Sequence, residues 1–580
     1  MTTFRSLSSA NGLPFSRAGL VLGVLVAMST QCGRAVHEGE GFGPPLEGGA
    51  AEGGTEDASV PQETGVAEAE PLVLPDSSVR SEAAVQVDLC HVSHDNPNGN
   101  APLCTKSSPP NAFSPATKWT WTAPPPPSSG GIEGSMVTPL VANLTDDNKD
   151  GEINLCDIPD VIVVTNGGSP GIAGQIFMLA GDTGAVETTF DGDVDSSVTP
   201  ALGDIDGDGI PEVVTNDVAG HLLAYDHAGH LKWTGDVAKY VGNGSSAVGS
   251  SYCQAIAIHD LDGDGTPEII CAFEVFDNKG HSKFSHDESA FEGQYWCPAS
   301  TAADLDGDGK LEVLFGNAAL HSDGSIYWTL PGPPGQPQVA DFDGDGIPEI
   351  FVARQDGLLV VSHDGKVLAG PTQSFDPQVS PNCWSKAGAI GDFDGTGHPS
   401  IMDGSCAHFG IWHVGASALT LAWSASISDP SGVASSTAFD FLGRGVHDAV
   451  YGDEDNLWVY DGKSGAVEFS RPRNSGTLIE YPVVADVDND GSADIVVVSN
   501  KGGENSQNYK NTVEVFQDAQ KRWIPARRIW NQHAYYVSNV NEDGTIPSHP
   551  TPSYKLLNTF RVNSQIEGGG DCIPPKPIPM

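Results

Sequence analysis

Asp204-Ile205-Asp206-Gly207-Asp208-Gly209-Ile210-Pro211-Glu212 recurs along this chain with little change, and a short apolar run follows each copy. Close versions begin at Asp260, Asp304, Asp341 and Asp486, weaker ones at Asp392 and Asp440, and a variant opens the series at Asp146, which makes eight. Carboxylates at positions 1, 3, 5 and 9, with Gly at 6 to allow a tight reversal, gather hard oxygens around one point and suit Ca²⁺. An EF-hand loop would need a bidentate Glu at position 12 and helices on both sides. Position 12 is instead Thr215, Cys271, Phe315 or Val352, and runs such as Val213-Val214-Thr215 and Ile350-Phe351-Val352 are β-formers. Each loop therefore joins two strands.

The expected side-chain donors are Asp204, Asp206, Asp208 and Glu212; Asp260, Asp262, Asp264 and Glu268; Asp304, Asp306, Asp308 and Glu312; Asp341, Asp343, Asp345 and Glu349; and Asp486, Asp488, Asp490 and Asp494. In the first copy they are Asp146, Asn148, Asp150 and Asn154, with extra residues before the strand. At Asp392 only Asp394 adds a second carboxylate, since Thr396 and Ser400 take the other positions, so binding there should be weak. At Asp440, Leu442 and Arg444 stand at positions 3 and 5; the arginine can neutralise Asp440 and Asp448 itself, and no calcium is expected.

These loops resemble the FG-GAP, or VCBS-type, calcium repeats of integrin α-chain propellers and of many secreted bacterial proteins, over roughly residues 135 to 520. The resemblance implies an all-β fold, a β-propeller of four-stranded blades. The spacing agrees: motif starts lie 58, 56, 44, 37, 51, 48 and 46 residues apart, near the size of one blade. Eight motifs point to eight blades. Integrin α-chains have seven, which would leave the first motif outside the ring. Within a repeat an approach strand precedes the loop, a second strand follows it, and a third ends at a hairpin such as His363-Asp364-Gly365. The fourth often carries Trp, as at Trp233 and Trp328. Two segments could provide the outer strand of the last blade, Lys118–Thr122 from the N-terminal side or the stretch leading to Lys521-Arg522-Trp523.

The chain has 580 residues and a formal charge of −48, from 76 Asp and Glu against 28 Lys and Arg. So acidic a surface argues against a nucleic-acid partner. Arg5 and Arg17, then an apolar run from Ala18 to Met28, read as an export signal covering 1–31. Cys32 follows in a place resembling the lipidated cysteine of bacterial lipoproteins, although Gln31 fits their cleavage pattern poorly; membrane attachment is expected only through that residue. Residues 32–84 form an acidic linker too poor in apolar residues to order itself. A Cys-bearing, Pro-rich segment spans 85–134, the propeller 135–525 and a C-terminal extension 526–580. An exported chain oxidises most of its cysteines, and Cys90 with Cys104 and Cys383 with Cys406 are local candidates.

No HExxH or P-loop motif is present, and His221, His227 and His230 read as surface residues near a turn. The extension carries Arg527-Arg528-Ile529-Trp530-Asn531-Gln532-His533-Ala534-Tyr535-Tyr536. Its aromatics and amides either grip sugar rings or pack the tail onto the end of the propeller, and packing is the expectation. The expected function is that of an exported, calcium-stabilised, non-enzymatic surface protein that binds a protein or glycan ligand in adhesion. A polysaccharide lyase or a lectin on the same propeller is the alternative.

Overall fold

The computed structural model describes residues 90–91, 101–126, 131–166, 172–239, 254–287, 299–372, 386–405, 407–432, 434–568 and 570–574. The export signal, Cys32, the linker and the expected Cys383–Cys406 bridge lie outside them.

Eight antiparallel sheets, each built on four strands, follow one another along the chain as the blades of a ring. Blade 2 shows the pattern: inner strand Ala201–Gly203, the acidic loop, second strand Glu212–Asn216, third strand His221–Tyr225 and outer strand Leu231–Val237. The second and third strands are apolar on both faces because neighbouring blades cover both. Glu349–Arg354 of blade 5 is buried at every residue, whereas the outer strand of blade 2 is largely exposed. Inner strands of successive blades lie side by side and so line the central axis.

The tryptophans of the outer strands reach the following blade. Trp328 Nε1 donates to His363 O at 2.9 Å, and Trp423 Nε1 to Gly462 O at 2.7 Å. Each ring lies on a hairpin glycine with positive φ, Gly365 and Gly465, where a Cβ would come within 2.7 Å of the indole. Only glycine accepts both the turn and the contact.

The ring closes through the N-terminal side. Pro115–Trp121 pairs antiparallel with Val513–Asp518 and forms the outer strand of blade 8, and Trp119 Nε1 donates to Gly181 O of blade 1 at 2.6 Å. The rival segment turns back: Arg522 grips both oxygens of Asp518 at 2.9 Å, and Trp523 enters the core beside Phe441. Closure brings the two ends together, and the disulfides follow it. Cys104 bonds to Cys572 and Cys90 to Cys156, which replaces the expected Cys90–Cys104 pair.

The C-terminal extension occupies the centre of the ring rather than one end. Its backbone or side chains meet the inner-strand region of every blade: Trp530 pairs with Val141, Asn531 O accepts from Leu202 N, Gln532 Oε1 from Ile258 N, and Tyr536 donates to Ala302 O. The path continues through Asn558 to Asp341, Phe560 to Ile390, Arg561 O to Thr437 and Asn563 to Val484 O. Trp530, Tyr535 and Tyr536 are buried, which removes the sugar-gripping reading of this stretch.

Candidate metal centres

Position 9 of each loop is the first residue of a second strand, so the sheet register fixes its carboxylate. Glu212 lies opposite Gly203, Glu268 opposite His259, Glu312 opposite Ala303, Glu349 opposite Ala340 and Asp494 opposite Ala485. Position 1 anchors the loop. Asp204 accepts Gly207 N–H at 2.7 Å on one oxygen and Gly209 N–H at 2.9 Å on the other. Asp260, Asp304 and Asp341 repeat this pair of bonds, and Asp486 accepts from Asp490 and Gly491. Position 5 fixes the exit: Asp208, Asp264, Asp308, Asp345 and Asp490 each accept the N–H two residues on. Backbone donors thus hold the loop open while Asp206, Asp262, Asp306, Asp343 and Asp488 at position 3 face position 9.

Oxygens of Asp204, Asp206 and Glu212, of Asp260, Asp262 and Glu268, and of Asp341, Asp343 and Glu349 converge within 4.8 Å; Asp304 joins Asp306 and Asp308, and Asp306 also joins Glu312 and His321. Apart from the His321 group, these are all-oxygen sets and fit a hard divalent ion. Asp262 Oδ1 and Asp488 Oδ1 are buried with no hydrogen-bond partner, as expected of ligand atoms. Burial pushes the Glu349 carboxyl up to about 7, and Asp343, Asp341 and Asp345 add to the rise. Burial also raises Glu212 to about 7 against the pull of Lys232, and raises Asp486 to about 7. Without a counter-charge, these carboxylates resist ionising together.

The first loop differs from its sequence reading at one donor. Asp146 accepts Asp150 N–H and Gly151 N–H as in the other copies, and Asn148 accepts Asp150 N–H. Asn154 is spent on the turn N–H of Cys156, and Asp160 begins the second strand opposite Ala142. The insertion hides this in sequence. In blade 6, Ser400 binds His413 Nδ1 at 2.9 Å. In blade 7, Arg444 reaches both oxygens of Asp448 at 3.1 and 3.2 Å, and its backbone N–H, not its guanidinium, bonds Asp440.

One feature of the site leaves no trace in the motif. Each outer strand carries a β-bulge at the same register point, and the bulged residue is Glu187, Lys232, Lys283, Tyr327, Leu368, Ala422, Glu468 and Lys118 in blades 1 to 8. The bulge re-aims its side chain. Lys232 Nζ lies 2.5 Å from Asp206 and 2.7 Å from Glu212. Lys118 Nζ lies 2.5 Å from Asp488 and 2.9 Å from Asp494, and Lys283 reaches Glu268 at 2.6 Å.

The FG-GAP-like repeat model matches residues 204–271, 260–315 and 341–402. This chain carries FG-GAP-like repeats. They form an eight-bladed ring in which the acidic loop links inner and second strands, an arrangement that an integrin α-like propeller fits. The crystal structure of the V. cholerae biofilm matrix protein Bap1 superposes with a TM-score of 0.62 at 22% identity, covering 80% of this chain and 100% of that one. The exotype rhamnogalacturonan lyase YesX gives 0.49 at 14% identity, covering 80% and 83%, and the Bacillus licheniformis rhamnogalacturonan lyase PL11 gives 0.48 at 14%, covering 79% and 84%. At 22% identity, the likeness to Bap1 is one of fold. No curated protein matches the sequence.

Proposed function

We propose that this chain is an exported, calcium-stabilised propeller that binds a surface protein or glycan in adhesion, with no reaction of its own. The observation that carries this reading is the filled centre of the ring. A lyase on such a propeller needs His, Arg or Tyr presented at the mouth of the central channel. Here Arg527, His533, Tyr535, Tyr536 and Arg561 are buried there and bonded to one another or to the blades, as in Arg527 Nη1 to Tyr535 OH at 3.1 Å and Arg561 Nη2 to His533 Nδ1 at 3.0 Å. What stays accessible is the rim and the two faces, the surfaces a binding protein uses.

Calcium in the acidic loops would be structural. Extracellular sites commonly have Kd of about 10⁻⁴ to 10⁻³ M, which matches external calcium. Two disulfides joining distant parts of the chain support an oxidising compartment and hence export. Bap1, whose fold this chain shares, is by its description a biofilm matrix protein, and a matrix or cell-surface role is the one proposed here.

The test is a binding screen of the exported chain against glycans and surface proteins, with and without calcium, run beside an absorbance assay for unsaturated uronic products. Saturable binding without turnover is the expected result. Product formation from any uronic-acid polymer would overturn the reading.

A further inference from the structure

The eight outer-strand bulges sort the acidic loops by the charge that each bulged residue brings. In blade 2 the Lys232 ammonium bridges position 3 to position 9, at 2.5 and 2.7 Å, which is the gap a divalent ion would fill. In blade 8 the Lys118 ammonium does the same between Asp488 and Asp494, its side chain only 7% exposed, and Lys521 reaches Asp490 at 2.8 Å. Blade 3 differs. Lys283 makes its ion pair with Glu268 alone and is 36% exposed. Blades 4 and 5 place Tyr327 and Leu368 at the bulge, so no bulge cation reaches Glu312 or Glu349. In blade 1 the residue is Glu187, which meets Thr145 beside Asp160 and adds a carboxylate.

We infer that, among the loops that keep their carboxylates, the bulge residue decides which take a metal: Lys232 and Lys118 close the loops of blades 2 and 8 with a cation from the chain itself, and blades 1, 3, 4 and 5 are left to bind calcium, while blade 6 lacks the donors and blade 7 is neutralised by Arg444. This rests on the metal reading of the acidic loops and narrows it. An ammonium and a Ca²⁺ ion cannot share the same pair of carboxylate oxygens, because cations about 4 Å apart repel by several kcal/mol even at an effective dielectric of about 20, more than a hundredfold in Kd. Lys118 also sits on the strand that closes the ring, so closure there carries its own counter-charge and does not wait for external metal.

The experiment is calcium titration of the exported chain, stripped with EGTA, by isothermal calorimetry and native mass spectrometry. Four sites are expected. Lys232→Met, which keeps an unbranched apolar stem, should raise the count to five, and Leu368→Lys, at a residue 40% exposed, should lower it to three. Lys283→Met should tighten one existing site without adding another. Circular dichroism establishes that each variant is folded. Six sites in the wild type, with Lys232→Met unchanged, would overturn the inference and leave the metal reading standing. No calcium bound by the wild type or by any variant would overturn the metal reading, and this inference with it.

Discussion

Replacing Trp530 with alanine tests the placement of the C-terminal tail inside the ring. The indole is fully buried, stacks on Tyr535 with centroids 4.3 Å apart, meets the edge of Tyr481 at 6.0 Å, and places Nε1 3.3 Å from Tyr481 OH. A buried Trp→Ala change costs about 3–5 kcal/mol, and the lost hydrogen bond adds about 1 kcal/mol. The backbone bonds to Val141 at 2.8 and 3.0 Å survive the change, so about 5 kcal/mol is the expected total. With about 2.1 cal/mol/K of unfolding entropy per residue over roughly 430 described residues, this lowers the melting temperature by about 6 °C. Differential scanning calorimetry in saturating calcium reads the shift, and limited proteolysis reads loosening of the tail. If Trp530 instead gripped a ligand at the surface, the melting temperature would stay within about 1 °C and ligand binding would fall. That result would refute the filled centre.

Calcium should matter thermodynamically: at about 1 mM free ion and a Kd of about 10⁻⁴ M, each occupied loop adds about 1.4 kcal/mol. Excess EDTA should therefore lower the melting temperature by several degrees, and coincident melting curves with and without chelator would exclude structural calcium. Changing Cys104 and Cys572 together to serine should cost about 2–5 kcal/mol, seen as earlier proteolysis beyond Ser564; an unchanged digestion pattern would show that the bridge does not hold the ends. Glu454 supplies a pH test. Burial, with Asp429, Asp455, Glu504 and Asp453 nearby, pushes its carboxyl up to about 7. A folded value above the unfolded one favours the neutral form, so its stabilising effect is complete below about 4.5 and is lost as pH rises through about 7. Glu454→Gln should stabilise the protein at pH 8, by about 1 kcal/mol after solvent screening of this half-exposed group, and do nothing at pH 4.5. Equal melting temperatures for wild type and variant at pH 8 would contradict the shift.

The acidic loops were legible because their chemistry is local: the anchoring bonds of Asp204 span no more than five residues, and Gly207 and Gly209 mark the reversal. The spacing of the copies then gave the blades. The bulge lysines were not legible. Lys232 reaches Asp206 across 26 residues, and whether Leu231 or Lys232 faces the loop depends on one step of register, which inverts the face of every side chain. Lys118 meets Asp494 across 376 residues, a contact that exists only once the ring has closed. The two candidates for the closing strand both set a lysine close to a tryptophan, Lys118-Trp119 and Lys521-Arg522-Trp523. The arbiter was Asp518, whose bonds to Arg522 turn the chain back before a strand can form.

The tail shows why a wide ring of this kind needs more than its repeats. Innermost strands present the free edge of each sheet to the axis, and such an edge leaves N–H and C=O groups without ladder partners. Water in the channel could serve them, but at the loss of the apolar burial that Val141, Leu202, Ile258 and Ile390 now enjoy. The extension meets both demands. Gln532, Asn558 and Asn563 offer amides to the edge groups of blades 3, 5 and 8, while Trp530, Tyr536 and Phe560 cover the apolar surface between them. An aromatic and amide-rich stretch, for which a sugar platform is the rival reading in isolation, is thus the composition required to seal a channel lined by strand edges. Its chemistry is consumed inside the fold, and the binding role proposed above falls to the rim and the faces.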